Sequence, residues 1–321
     1  MKAKKVFKII GIVFLITILF TIGGICYFTG ISVFSGSMQM VNNEATSIQK
    51  GEEYLEKHNF NLEEFEKEYK IEKVEIKSTL DDHIIPANLI TKDGNKNLDT
   101  VILVHGMGGN RLTVYPIAKM FLKNGYNVLA YDQRSSGENT AQYTTYGYLE
   151  SHDVKDSVKH IKGLIDENKK LGVWGVSFGG ATTGIYTGSE EANKDINFAI
   201  LDSPISNMSY MISTQMESMD AGIPVGFMMF MGNIVTKAKL GFSYKDVNVC
   251  KYTSKANMPI LIINSKSDEI TPYFMGEDIY NSIQNSKKNI FTVEESEHGN
   301  AFSDFQDEYE KSVMEFINGA Q

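Results

Sequence analysis

The stretch Leu171-Gly172-Val173-Trp174-Gly175-Val176-Ser177-Phe178-Gly179-Gly180-Ala181 decides how this chain folds. It reads as a short apolar run, a Gly-x-Ser-x-Gly turn and then a helical pattern from Ala181 to Tyr186. Taken alone, the five-residue pattern is weak in a chain with 27 glycines. Its setting makes it specific, because a sharp strand-to-helix turn lifts a serine hydroxyl clear of a sheet. Glycines on either side remove the Cβ atoms that would collide in so tight a turn.

The same rhythm recurs on both sides. Thr100–His105 and Asn127–Tyr131 are apolar runs, each followed by a Gly- or Ser-rich turn and a helical pattern; Phe198–Asp202 and Pro259–Asn264 repeat it, and Asn289–Val293 is the last strand. Upstream, Lys73–Lys77 alternates with period two, and Ile84–Ile90 is a second strand that Pro86 places at or near an edge. Continuous apolar strands alternating with helices predict a mostly parallel wound α/β sheet with helices on both faces. In such sheets reactive groups collect at the carboxyl ends of the strands.

A serine hydroxyl needs a base, and the base needs an orienting acid. Of six histidines, His298 is best placed, in Glu297-His298-Gly299 after the last strand. His58, His152 and His160 lie in polar helical stretches, His83 at a turn and His105 in a Gly-rich loop. For the acid, Asp268 follows the strand ending at Asn264, in a loop expected to neighbour that of His298. Asp202, at the end of the preceding strand, is its rival. The loop His105-Gly106-Met107-Gly108-Gly109 can turn backbone N–H groups toward a ligand, so Met107 and Phe178 are the expected oxyanion donors. No Lys-Ser/Thr pair follows that loop, which argues against a phosphate-binding P-loop.

With these motifs in register, and with Asp132-Gln133-Arg134-Ser135-Ser136-Gly137 and Asp268–Pro272 among them, the chain from about 71 to 318 resembles the α/β-hydrolase family. It looks closest to the bacterial serine aminopeptidase-like or lysophospholipase-like branch. The departure is Ser135-Ser136, where relatives often carry a glycine after the arginine. The resemblance implies that Ser177 is the nucleophile, His298 general base and then acid, and Asp268 the orienter of the imidazole. It also implies a helical cap between residues 204 and 257. That segment holds Met208, Met211, Met216, Met219, Met228, Met229 and Met231, seven of the chain's 15 methionines. Methionine suits surfaces that adapt to varied apolar ligands, and it equally fills gaps in a core. The stretch from Gly222 to Phe230 could also touch a membrane, but is too short to span one.

The N-terminus reads separately. Ile9–Phe28 has no charged residue, and twenty helical residues span roughly 30 Å, the thickness of a bilayer core. Lys2, Lys4, Lys5 and Lys8 precede it, so by the positive-inside rule the N-terminus is expected in the cytoplasm and the catalytic part on the extracytoplasmic side. A cleaved signal peptide is the competing reading, but its apolar region is normally shorter and Gly23–Phe28 is a weak cleavage site. The scarcity of arginine (Arg111 and Arg134 only) fits a bacterial cell-envelope protein. Residues 29–43, small and uncharged, read as a juxtamembrane stalk. Residues 44–70, charge-dense, read as short amphipathic helices that dock loosely or merely space. The expected organisation is therefore 1–28 anchor, 29–70 stalk and linker, 71–203 hydrolase core, 204–257 cap and 258–321 the rest of the core.

Composition narrows the function. Apolar residues at 42% and charged residues at 22% exclude a wholly disordered or multi-span protein. The first 28 residues hold four lysines and no acid, so the formal charge of −9 leaves −13 on the remainder, which disfavours nucleic acid. Cys26 and Cys250 are the only cysteines, and Cys26 lies in the apolar run, so the folded part can form neither an internal disulfide nor a multi-thiolate zinc site. No cofactor or metal is expected. The reading is a serine hydrolase cleaving an ester, thioester or amide with an apolar acyl group, through an acyl-enzyme. Acyl transfer on the same residues, or a binding protein that kept the fold, are the alternatives.

Overall fold

The computed structural model describes residues 2–319. The chain begins with α1 (Lys2–Met38), α2 (Ile48–Lys57) and α3 (Leu62–Glu68), then β1 (Lys70–Lys77), β2 (Ile84–Thr91) and β3 (Thr100–Val104). There follow α4 (Tyr115–Lys123), β4 (Asn127–Tyr131), α5 (Glu150–Lys162), β5 (Leu171–Val176), α6 (Phe178–Thr187), α7 (Glu190–Asp195) and β6 (Phe198–Asp202). After α8 (Met208–Ser218) and α9 (Val225–Leu240) come α10 (Cys250–Thr253), β7 (Ile260–Ser265), α11 (Phe274–Ser282), β8 (Lys288–Val293), α12 (Ala301–Asp304) and α13 (Gln306–Gly319).

The strands form one eight-stranded sheet in the order β1-β2-β4-β3-β5-β6-β7-β8. β1 and β2 pair antiparallel, as do β2 and β4, and every later pairing is parallel. This is the α/β-hydrolase architecture. Burial explains the order. β3, β4, β6 and β7 are buried at every position, so their Val, Ile and Leu runs need cover on both faces. β1 alternates Lys and Glu with apolar residues and takes an outer edge, where charge blunts edge-to-edge pairing. Because β3 lies between β4 and β5, the chain reverses its direction of winding there, opening a crevice at the carboxyl ends of β3 and β5.

The chain divides into two compact units. The larger, residues 41–208 and 247–321, holds the sheet. The helices α2 and α3 belong to it and are more deeply seated than their charge density suggests. Leu55 and Phe65 are buried, and Phe65 stacks on Tyr115 of α4 with ring centroids 4.9 Å apart. Burying a side chain of that size stabilises by about 1.5–3 kcal/mol, enough to fix a helix that is otherwise solvated.

The smaller unit comprises residues up to 40 and 209–246. Its helix α1 contains a segment, Lys4–Met38, long and apolar enough to cross a membrane, with mean hydropathy 2.7. Side chains from Val6 to Phe28 are largely exposed. The segment read as a stalk departs from expectation: α1 continues through it to Met38, and Val33, Phe34, Ser37 and Met38 are buried. The reason is contact with α9. A Cβ on Gly30 would stand 2.8 Å from Val235 Cγ2, and one on Gly232 would stand 2.4 Å from Val33 Cγ1. Small residues that resemble a linker in sequence thus let two helices approach closely. Lys239 Nζ lies 4.9 Å from the Phe34 ring centroid, and Tyr244 N donates to Asn233 Oδ1 at 2.8 Å.

Candidate active site

Ser177 sits between β5 and α6 with φ 57° and ψ −116°, a left-handed conformation that a non-glycine residue adopts only under constraint. Its N–H donates to Asp202 O at 2.7 Å, and its carbonyl accepts from Ala181 N at 3.0 Å. The flanking glycines are obligatory: a Cβ on Gly175 would meet Gly179 O at 2.2 Å, and one on Gly179 would meet Val104 O at 2.1 Å. The turn is therefore clamped against β3, and it leaves the hydroxyl at the crevice.

The loops after β7 and β8 bring the other two groups. His298 Nε2 is 2.8 Å from Ser177 Oγ, and His298 Nδ1 is 2.8 Å from Asp268 Oδ2. The carboxylate is held in turn: Asp268 Oδ1 accepts from the amides of Ile270 and Thr271 at 2.9 and 2.8 Å. Thr271 Oγ1 lies 2.9 Å from Asp268 Oδ2 and 3.1 Å from His298 Nδ1. Burial pushes the Asp268 carboxyl up, but the His298 ring bonded to it and the donors from Thr271 outweigh burial and hold it below the ordinary carboxylate range.

Asp202, the rival acid, does not bond His298. It is fully buried, and its Oδ2 accepts from Tyr309 OH at 2.7 Å while Trp174 Nε1 donates to Tyr309 OH at 2.8 Å. Ser203 Oγ donates to its Oδ1 at 3.1 Å. Burial drives this carboxyl up to about 6, against the hydrogen bonds from Tyr309 and Ser203 that favour the anion.

The Gly-rich loop after β3 comes close to the serine: a Cβ on Gly106 would stand 3.5 Å from Ser177 Cβ. The Phe178 amide is at the first position of α6, where no carbonyl of the helix reaches it. Met107 lines the same crevice as Ser177. His105 plays a different part. Its Nε2 accepts from Gln133 N at 3.0 Å and its Nδ1 bonds Gly106 O at 2.7 Å, so the ring is neutral with its proton on Nδ1. Complete burial pushes its pKa down, in keeping with that state. His105 thereby ties the Gly-rich loop to the turn after β4. Asp132 anchors that turn by accepting from the amides of Arg111 and Glu138, both at 2.8 Å. Ser135 has φ 59°, a backbone conformation that favours glycine.

Ser177, His298, Asp202 and Trp174 open onto a cavity of about 750 Å³. Its walls include Tyr54 and Phe60 from the α2–α3 region and Ile117 and Met120 from α4. The sequence reading noticed these aromatics but not that they line the site, and it missed Thr271, Tyr309 and Trp174. A hydroxyl three residues after the acid, in Asp268-Glu269-Ile270-Thr271, was the one signal available for any of them. Among the described residues, no group of His, Cys, Asp and Glu could hold a metal ion.

Residues 112–320 match the sequence model of the prolyl oligopeptidase family. YqkD of Bacillus subtilis is 26% identical over 220 residues, covering 68% of this chain and 71% of that protein. The lysophosphatidylserine lipase ABHD12 of Rattus norvegicus is 25% identical over 188 residues, covering 58% and 45%. Among solved structures, the Pyrococcus furiosus esterase Pf2001 aligns with a TM-score of 0.63 at 25% identity, covering 81% of this chain and 96% of that one.

Proposed function

The chain belongs to the prolyl oligopeptidase family and is an α/β-hydrolase-type serine hydrolase, and we propose that it cleaves an ester of an apolar acyl group through an acyl-enzyme on Ser177. The observation that carries this reading is the unbroken hydrogen-bonded chain Ser177–His298–Asp268, at 2.8 Å for each link, opening onto a cavity walled in part by Tyr54, Phe60, Ile117, Met120 and Phe302. An esterase and a lysophosphatidylserine lipase among the proteins it resembles favour an ester over an amide.

In the first half-reaction His298 Nε2 takes the Ser177 proton as Oγ attacks the carbonyl carbon. Asp268, kept anionic by its donors, holds the Nδ1–H tautomer and stabilises the imidazolium that forms. The carbonyl oxygen becomes an oxyanion facing the amides of Phe178 and Met107, donors worth about 3–4 kcal/mol each in such sites. Collapse expels the alcohol, protonated by His298. A water molecule then repeats the sequence and frees the acid. No metal or cofactor enters these steps. Together with α1, the reading places the enzyme on a membrane as a single-pass protein, N-terminus in the cytoplasm and the hydrolase outside it, as the lysines before α1 favour.

Hydrolysis of chromogenic short- and medium-chain esters by the purified full chain tests the reading. Turnover abolished by Ser177→Ala supports it; equal turnover by wild type and Ser177→Ala overturns it.

A further inference from the structure

The cavity reaches away from Ser177 along α4. Pro116, Ile117, Lys119, Met120 and Lys123 all line it. The helix starts just past the Gly-rich loop, so at about 1.5 Å per residue Lys119 and Lys123 stand roughly 6 and 12 Å along it from Tyr115. Four residues apart, they share one face of α4. Lys119 Nζ lies 5.9 Å from the ring centroid of Phe60, itself part of the apolar wall.

Neither lysine is matched by a counter-charge within the cavity. Among the described residues, no carboxylate lies within ion-pair distance of either lysine. Lys50, lining the same cavity, is by contrast occupied by Glu53 at 2.6 Å. Glu310 also lines the cavity and accepts from Asn124 Nδ2 at 2.8 Å. Asp202 is the other carboxyl on the wall, pulled toward its neutral form by burial. Half-buried Lys119 and exposed Lys123 therefore line a partly apolar cavity without an ion-pair partner, in a chain whose net charge is −9. Lysine amines so placed recognise an anion arriving at the far end of a bound apolar chain, and they give selectivity more than raw affinity.

We propose that this cavity selects substrates carrying an anionic group, a carboxylate or a phosphate, joined to the scissile carbonyl by an apolar spacer, with Lys119 and Lys123 as the recognising groups. The proposal rests on Ser177 being the nucleophile. It deepens that reading by naming a substrate class: anionic amphiphiles in preference to neutral esters.

Two matched substrate pairs test it, with the full chain in a neutral detergent. The first is p-nitrophenyl octanoate against p-nitrophenyl hydrogen suberate, which puts the anion on the acyl side. The second is a monoacylglycerol against the acylglycerol phosphate of the same chain length, which puts it on the leaving side. The readout is the ratio of kcat/KM, anionic over neutral, for wild type, for Lys119→Gln with Lys123→Gln, and for Lys119→Glu with Lys123→Glu. Fluorophosphonate labelling counts the active sites in each. The expected result is a wild-type ratio above one in at least one pair, falling about tenfold on neutralisation and further on charge reversal. The pair that responds identifies the side on which the anion sits. Ratios that are the same in all three labelled proteins, or no turnover of any of the four esters by labelled wild type, overturn the proposal alone. Absence of both labelling and turnover in folded wild type overturns the hydrolase reading as well.

Discussion

Tyr309 donates a 2.7 Å hydrogen bond to Asp202 Oδ2, joining the C-terminal helix to the end of β6 across 107 residues of sequence. Trp174 completes the link from β5. The Asp202 carboxyl is thereby buried on the cavity that Ser177 and His298 also line, yet kept from the imidazole, which leaves Asp268 as the acid bonded to His298. Two carboxyls in one site are driven in opposite directions, Asp202 up by burial and Asp268 down by its partners.

That divergence has a signature in stability. A carboxyl whose folded pKa is raised to about 6 from 3.8 binds more protons folded than unfolded between those values. Stability from this group is therefore full below pH about 4 and is lost as pH rises through 6. Asp202→Asn removes the dependence. Unfolding free energies of wild type and Asp202→Asn, measured at several pH values from 4 to 7.5, are expected to converge on or cross one another by about 3 kcal/mol across that window. A constant difference contradicts the assignment.

In the proposed mechanism Asp268 acts through His298, to which it is bonded. Asp268→Asn is expected to lower kcat by about 10⁴-fold by presenting the wrong hydrogen-bonding partner to Nδ1, with the fold intact. Thr271→Val removes one donor from the carboxylate and is expected to cost about tenfold in kcat. It should also shift the acid limb of the pH–rate profile, which a purely structural role would not do.

The turn at Ser177 tolerates no added methyl. Gly179→Ala would drive a Cβ to 2.1 Å from Val104 O, a backbone atom that cannot yield cheaply. The expected loss is at least about 3 kcal/mol, or a Tm lowered by roughly 6–12 °C. Thermal unfolding checks it, with Gly226→Ala, where a Cβ meets nothing within 4 Å, as the control.

In the smaller unit, Gly232→Leu is expected to separate α9 from α1, because the space a side chain needs is filled by Val33. Limited proteolysis should then cut within residues 219–241 faster than in wild type. An unchanged digestion pattern would mean that the two helices are not held by this contact.

Much of the larger unit was legible in the sequence because its strands are buried on both faces, and burial writes itself as unbroken Val, Ile and Leu. The read strand Thr100–His105 is observed as Thr100–Val104, and Asn127–Tyr131 is observed unchanged. Ser177, Asp268 and His298, which hydrogen bonds link in the structure, could be singled out because each follows a strand, and a parallel sheet gathers such positions at one edge. Contacts between distant segments left no such trace. Nothing around Tyr309 announces Asp202, and the burial of Phe65 depends on Tyr115, fifty residues away. Gly30 and Gly36, with Ser32, Ser35 and Ser37, look like a linker because local composition cannot reveal that α9 packs against this stretch at Gly30 and Val33. For the same reason Lys119 reads as an ordinary surface lysine until the cavity beside it is seen.

The most direct measurement of the central claim is the mass of the full chain after reaction with a fluorophosphonate, followed by mapping of the modified peptide. One adduct on Ser177 is predicted, absent in Ser177→Ala and formed far more slowly in His298→Ala. Folded protein that takes up no adduct, or takes it up at another residue, contradicts the account.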